Sequence, residues 1–248
     1  MKTIAAVMAT IATTAVALAG CDQHPTSSTP PTAASAPVSA AALAPAPASK
    51  AISTTTEKIK PSDGPFGVRM GMTTEELGKF IKLKSDGDLR YDSDSAPIPH
   101  KLFSDYIYRI GNNGLCSVKA LSKTIESNSF GDGVKDAFSE ISQPLVAKYG
   151  KPTFDHDFIR SGSIWDKQED WMMGLYKEER VLNIAWVSSK NKGSEKTKNP
   201  VNLPSDIAYI ELEARAYKYN KAFLVLDYLF MNNDDCVNQI KKNQNKGL

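Results

Sequence analysis

Histidine and cysteine are nearly missing from this 248-residue chain, which holds only His24, His100 and His156 and only Cys21, Cys116 and Cys236. Metal sites and acid–base or nucleophilic centres draw heavily on those two residue types, so the scarcity leaves little material for catalysis. The Gly-x-Ser-x-Gly elbow, the phosphate-cradling glycine loop and the His-Glu-x-x-His helix are all absent from the sequence. An excess of either charge is lacking too. Residues 1–60 carry four lysines and two acids, so the 30 basic and 28 acidic residues of the chain leave 26 of each for residues 61–248. A neutral domain argues against a nucleic-acid partner, which selects a basic one. Long apolar runs are also absent: Ile4 to Leu18 gives about 15 residues rich in Ala and Thr, short of the ~20 that span a bilayer.

What is present at the N-terminus is a leader. Met1-Lys2 supplies a positive start, the Ile4–Leu18 run an apolar centre, and Leu18-Ala19-Gly20-Cys21 a small-residue ending before a cysteine. That ending resembles the lipobox of bacterial lipoproteins. The resemblance implies a Cys21 thiol that is diacylated, cleavage just before it, and acylation of the new N-terminus with palmitate-type chains. Ala17-Leu18-Ala19 also fits ordinary leader cleavage, which would release a secreted protein. Three acyl chains would hold the protein to a membrane far more firmly than one, each buried methylene adding about 0.8 kcal/mol. Asp22-Gln23 after the cysteine resembles the enteric signal for retention in the inner membrane, facing the periplasm, with the outer membrane as the alternative.

With Cys21 lipidated, Cys116 and Cys236 remain as an even pair in an oxidising compartment, and a disulfide between them is expected. Such a bond closes a loop of ~120 residues, nominally stabilising by about 4–5 kcal/mol. Two buried thiols are the alternative. From Asp22 to Lys60 the chain is dominated by Pro, Ala, Ser and Thr and has no aromatic residue, the composition of a tether that cannot bury enough surface to order itself. Residues 1–20 therefore read as leader, 21–62 as lipidated tether and 63–248 as one globular domain.

Within the domain, Thr73 and Glu76 fit a capping box ahead of the apolar face Leu77, Phe80 and Ile81. The Gly71-Met72-Thr73 step resembles the strand-to-helix opening of small envelope lipoproteins of the SmpA/OmlA (BamE) type. Residues 101–125 read as a hairpin turning at Gly111-Asn112-Asn113-Gly114, with Cys116, Val118 and Ala120 on one face. Val134, Phe138, Ile141, Leu145 and Tyr149 form a helical stripe that passes Pro144 and ends at Gly150. A second hairpin is expected from Trp171–Tyr176 and Val181–Val187, with a helix over 166–176 as the competing reading. Ile207 to Tyr217 alternates cleanly, and Ala222 to Phe230 is apolar on both faces apart from Asp227, as in a central strand. Acids at 234 and 235 and lysines at 241 and 242 bracket a last short helix bearing Cys236. The pattern predicts an α+β fold: one antiparallel sheet of hairpins with helices packed on one face.

The candidate sites are few. Asp155-His156-Asp157 reads as a solvated loop, because neighbouring residues in extended chain point to opposite faces and cannot act together. Asp86, Asp88, Asp92 and Asp94 suggest calcium, but Arg90 or Ala96 falls where a ligand is needed, so neither metal nor cofactor is expected. Lys190, Lys192, Lys196 and Lys198 form a basic loop suited to an acidic partner or anionic headgroups. Trp165 and Trp171 are candidate partner-binding anchors, and Trp186 reads as core. The expectation is a lipid-anchored, non-catalytic envelope protein that binds another protein in the periplasm, as an inhibitor or immunity protein or as an accessory in envelope assembly. The alternative is a periplasmic hydrolase of cell wall or lipid.

Overall fold

The computed structural model describes residues 60–191 and 197–245. Thr73 opens α1 (Thr74–Leu77) with the expected capping box: its Oγ1 accepts the Glu76 N–H at 3.2 Å, and Glu76 Oε2 accepts the Thr73 N–H at 2.9 Å. A short hairpin, β1 (Lys84–Ser85) and β2 (Arg90–Ser93), follows, then the long hairpin β3 (Phe103–Gly111) and β4 (Gly114–Ser122). After β5 (Ile125–Glu126) come α2 (Asp132–Tyr149), β6 (Phe154–Ile159), α3 (Trp171–Tyr176) and β7 (Arg180–Val187). The chain closes with β8 (Ile207–Lys218), β9 (Lys221–Phe230) and α4 (Asn233–Gln244). The fold is α+β. Its strands form one antiparallel sheet in the order β1-β2-β3-β4-β9-β8-β7-β6, with β5 paired to β9.

The sheet register explains the core. Tyr108, Val118, Tyr228, Ile210 and Trp186 face one another across β3, β4, β9, β8 and β7, and all five are at most 4% exposed. The apolar stripe of α2 (Val134, Phe138, Ile141, Leu145 and Tyr149) is buried, and Tyr149 meets both Trp186 and Tyr228 edge-on. Pro144 does not end the helix, because the packed stripe continues past it. Gly150 then caps the helix, its N–H donating to the Val146 carbonyl at 2.8 Å, while its own carbonyl accepts the Trp186 indole N–H at 2.9 Å. Phe66 fills the same layer from the other side, its ring edge-on to Phe103, Tyr106 and Tyr228.

Three expectations are corrected. Trp171–Tyr176 is a helix rather than a hairpin strand, because Trp171, Met172 and Leu175 share one buried helical face; the chain turns back into β7 through Glu178 at φ 58°. Asp155-His156-Asp157 lies in a strand rather than a loop: β7 pairs with residues 154–159 along their whole length. Cys116 does not share the face of Val118. Pairing jumps from Arg109–Ser117 to Ile110–Leu115, so Cys116 is the extra residue of a β-bulge and Leu115 continues the core face. Leu212, fully buried in β8, tests the core: Leu212→Ala should cost about 2–5 kcal/mol, read as a lowered urea midpoint with an unchanged slope.

Candidate functional site: the uncovered sheet face and its edge

One residue along from the core row, the same register produces a polar row on the opposite side of the sheet. Ile107, Lys119, Asp227, Glu211, Ala185 and Phe154 stand opposite one another across β3, β4, β9, β8, β7 and β6. Lys119 Nζ lies 3.0 Å from Asp227 Oδ2, while Asp227 Oδ1 is buried without a hydrogen-bond partner. Burial pushes the Asp227 carboxyl above its ordinary value, against the pull of the Lys119 ammonium. Among the described residues Glu211 has no cation paired with it. Its Oε1 accepts from Asn183 Nδ2 at 3.0 Å, and burial followed by repulsion from Glu213 raises its pKa. Glu213 is tied to Arg215 at 2.7 Å.

His156 Nδ1 sits 3.1 Å from Asn183 Oδ1, so Asn183 links the imidazole to Glu211. His100 Nδ1 accepts the Leu102 N–H at 3.3 Å, and its ring packs on Phe103. Among the described residues neither histidine is hydrogen-bonded to a carboxylate. A cleft of about 510 Å³ beside β2 sets Lys82, Lys84 and Arg90 against Asp92, Asp94 and Asp105, which gives it no preference for either sign of charge.

At the end of the row the sheet stops at β6, whose other side has no strand partner among the described residues. Phe154, His156 and Phe158 point to the same side and form a ladder, with ring centroids 5.8 Å and 5.7 Å apart. All three are exposed, Phe154 at 38% and Phe158 at 46%. On the other face, Asp157 pairs with Arg180 at 3.1 Å, and Asp155 makes no ion pair among the described residues.

Of the residues singled out from sequence, Cys116 and Cys236 form the disulfide. Cys236 is the one buried residue of α4, and the rest of the helix is attached by polar contacts. Gln239 bonds Asn112 through both its amide oxygen and its nitrogen at 2.9 Å, and Asp235 accepts from Asn113 at 2.8 Å. A Cβ on Gly111 would stand 2.8 Å from Cys236 Sγ, so glycine there is what lets α4 close on β3. Trp171 is not a partner anchor: it is 3% exposed, lies against Gly131 (φ 80°), and is flanked by Lys135 and Arg180 at 4.8 Å and 5.5 Å from its ring. Trp165 is half-buried, and Trp186 is core as expected. Lys190 and Lys198 are exposed, whereas Lys192, Lys196 and Cys21 lie outside the described residues. The acidic loop closes on itself: Arg90 Nε reaches Asp92 at 2.8 Å and Asp86 at 3.3 Å. The row was not assembled from sequence, where Asp227 stands as the single charge inside an apolar strand and the alternation of neighbouring strands turns Lys119 and Glu211 away from the core side chains. Comparison with protein-family models, with curated proteins and with solved structures found no match.

Two outcomes follow from this geometry. Because the folded state holds the Glu211 carboxyl above its ordinary 4.5, it binds more protons than the unfolded chain at mildly acidic pH, and stability falls as pH rises through that window. Glu211→Gln should remove the share of the fall that Glu211 contributes and leave that of Asp227. Its advantage over wild type, read from urea midpoints, should be absent below pH ~4 and grow toward neutrality. Cys116→Ala/Cys236→Ala should destabilise by about 2–5 kcal/mol and free α4 first, so that α4 amides exchange rapidly while β8 and β9 stay protected.

Proposed function

We propose that this chain is a lipid-anchored, non-catalytic protein of the bacterial cell envelope whose folded domain binds another protein in the periplasm. The observation that carries the reading is the disulfide. It accounts for two of the three cysteines, and the third, Cys21, stands at the lipobox position behind an apolar leader. A disulfide fits an oxidising compartment, which such a leader would deliver the chain to. Support for binding comes from the sheet. One face is packed under α2, α3 and the Phe66 segment, while the other, away from the corner where α4 is bonded to Cys116, ends in an exposed aromatic ladder beside paired charges, the mixture found where proteins meet. Asp22-Gln23 favours the inner membrane. Within this reading the domain serves as an inhibitor or immunity protein, or as an accessory in envelope assembly. A toxin-encoding neighbour gene distinguishes the first from the second.

The anchor is tested by growing cells on labelled palmitate. Label should enter the wild type and fail to enter Cys21→Ser; equal labelling of the two, or none in either, removes the anchor. A crosslinking pull-down with the anchored chain as bait tests the binding reading, which requires one stoichiometric periplasmic partner.

A further inference from the structure

The two ends of the sheet are built differently. At one end β1 is two residues long, Lys84–Ser85, too short to template another strand. At the other, β6 runs six residues and pairs with β7 in unbroken register. Proteins blunt exposed edges with brevity, bulges, proline or lysine, since a bare row of N–H and C=O groups recruits further strands. β6, whose sequence is Phe-Asp-His-Asp-Phe-Ile, has none of these, and its one protection is the charge of Asp155 and Asp157. Its aromatic side chains instead form a continuous exposed strip on one face, and its two aspartates occupy the other.

We infer that β6 is a docking edge for an extended segment of a partner protein in which basic and apolar residues alternate. The inference rests on the protein-binding reading and names the partner's chemistry. An added strand places its side chains opposite those of β6 on each face. Positions facing Phe154, His156 and Phe158 meet an aromatic strip, and those on the other face meet the Asp155 carboxylate, which has no ion pair among the described residues, and the Asp157 carboxylate, already held by Arg180. Backbone hydrogen bonds supply affinity and the alternating contacts supply selectivity, as in strand addition elsewhere. Charge also argues against a second copy of this chain. Antiparallel self-pairing centred on Asp155, His156 or Asp157 sets aspartate against aspartate in every case, and like charges directly opposite one another destabilise a pair.

The test uses the full chain in detergent and a fluorescent, end-blocked nine-residue peptide alternating lysine with valine. Two controls accompany it: the same peptide with glutamate for lysine, and one N-methylated along a single edge. The lysine peptide should bind, and both controls should bind at least about fivefold more weakly. Asp155→Lys should reverse the preference between the lysine and glutamate peptides. Phe158→Ser should weaken both, each variant being checked for native circular dichroism. Equal binding of the N-methylated peptide overturns strand addition, and equal binding of the glutamate peptide overturns the basic partner. A concentration-dependent dimer abolished by Phe158→Ser overturns it in favour of a second copy. In the crosslinking experiment, a partner captured equally by wild type and by Asp155→Lys/Phe158→Ser overturns β6 as the docking edge while leaving the binding reading intact. Capture of no partner by either overturns both.

Discussion

Strand register is the constraint on which this molecule depends. Because side chains alternate along a strand, the pairing that stacks Tyr108, Val118, Tyr228, Ile210 and Trp186 beneath the helices also sends Lys119, Asp227 and Glu211 to the other side. A slip of one residue anywhere in β4, β9 or β8 would exchange the two sets and drive charges into the core. The Lys119–Asp227 contact marks the correct alignment of β4 on β9. A half-buried ion pair of this kind adds little net stability, and its contribution here is to favour one register of β4 on β9. The raised carboxyls of Asp227 and Glu211 show that the arrangement carries an electrostatic cost, held in place by the packing on the far side.

That asymmetry gives the domain its character. On one side, helices and the Phe66 segment close over an aromatic layer. On the other, polar groups engage one another rather than converge on a point: Asn183 links His156 to Glu211, Arg215 holds Glu213, and Arg90 holds Asp86 and Asp92.

Sequence patterns gave the long, periodic elements and failed where tertiary pairing decides. The stripe of α2 and the alternation of β8 are properties of the local chain and were legible. So was the cysteine pairing, because counting left a single even pair. Trp171–Tyr176 is too short for a period of two to be told from one of 3.6, and only burial of Trp171, Met172 and Leu175 makes it a helix. Residues 154–159 look like a solvated loop because aspartates flank His156, yet β7 supplies the partner that makes them a strand. The facing of Cys116 followed simple alternation and was reversed by a bulge that no composition announces. The polar row exists only through strand pairing: Lys119 meets Asp227 when β4 pairs with β9, and Glu211 joins them when β8 does.

The bulged cysteine has a mechanical consequence. Leu115, next to Cys116, is stitched to the start of the folded chain: Gly71 N–H donates to the Leu115 carbonyl at 2.9 Å, and Leu115 N–H to the Met72 carbonyl at 2.8 Å. The opening of the fold and its last helix are thus both fastened to adjacent residues of β4, one by backbone hydrogen bonds and one covalently through Cys236. A pull applied upstream of Gly71 is therefore delivered to the best-braced point of the sheet, so tension would be shared between the two extremities of the domain rather than peeling it open from its first residue.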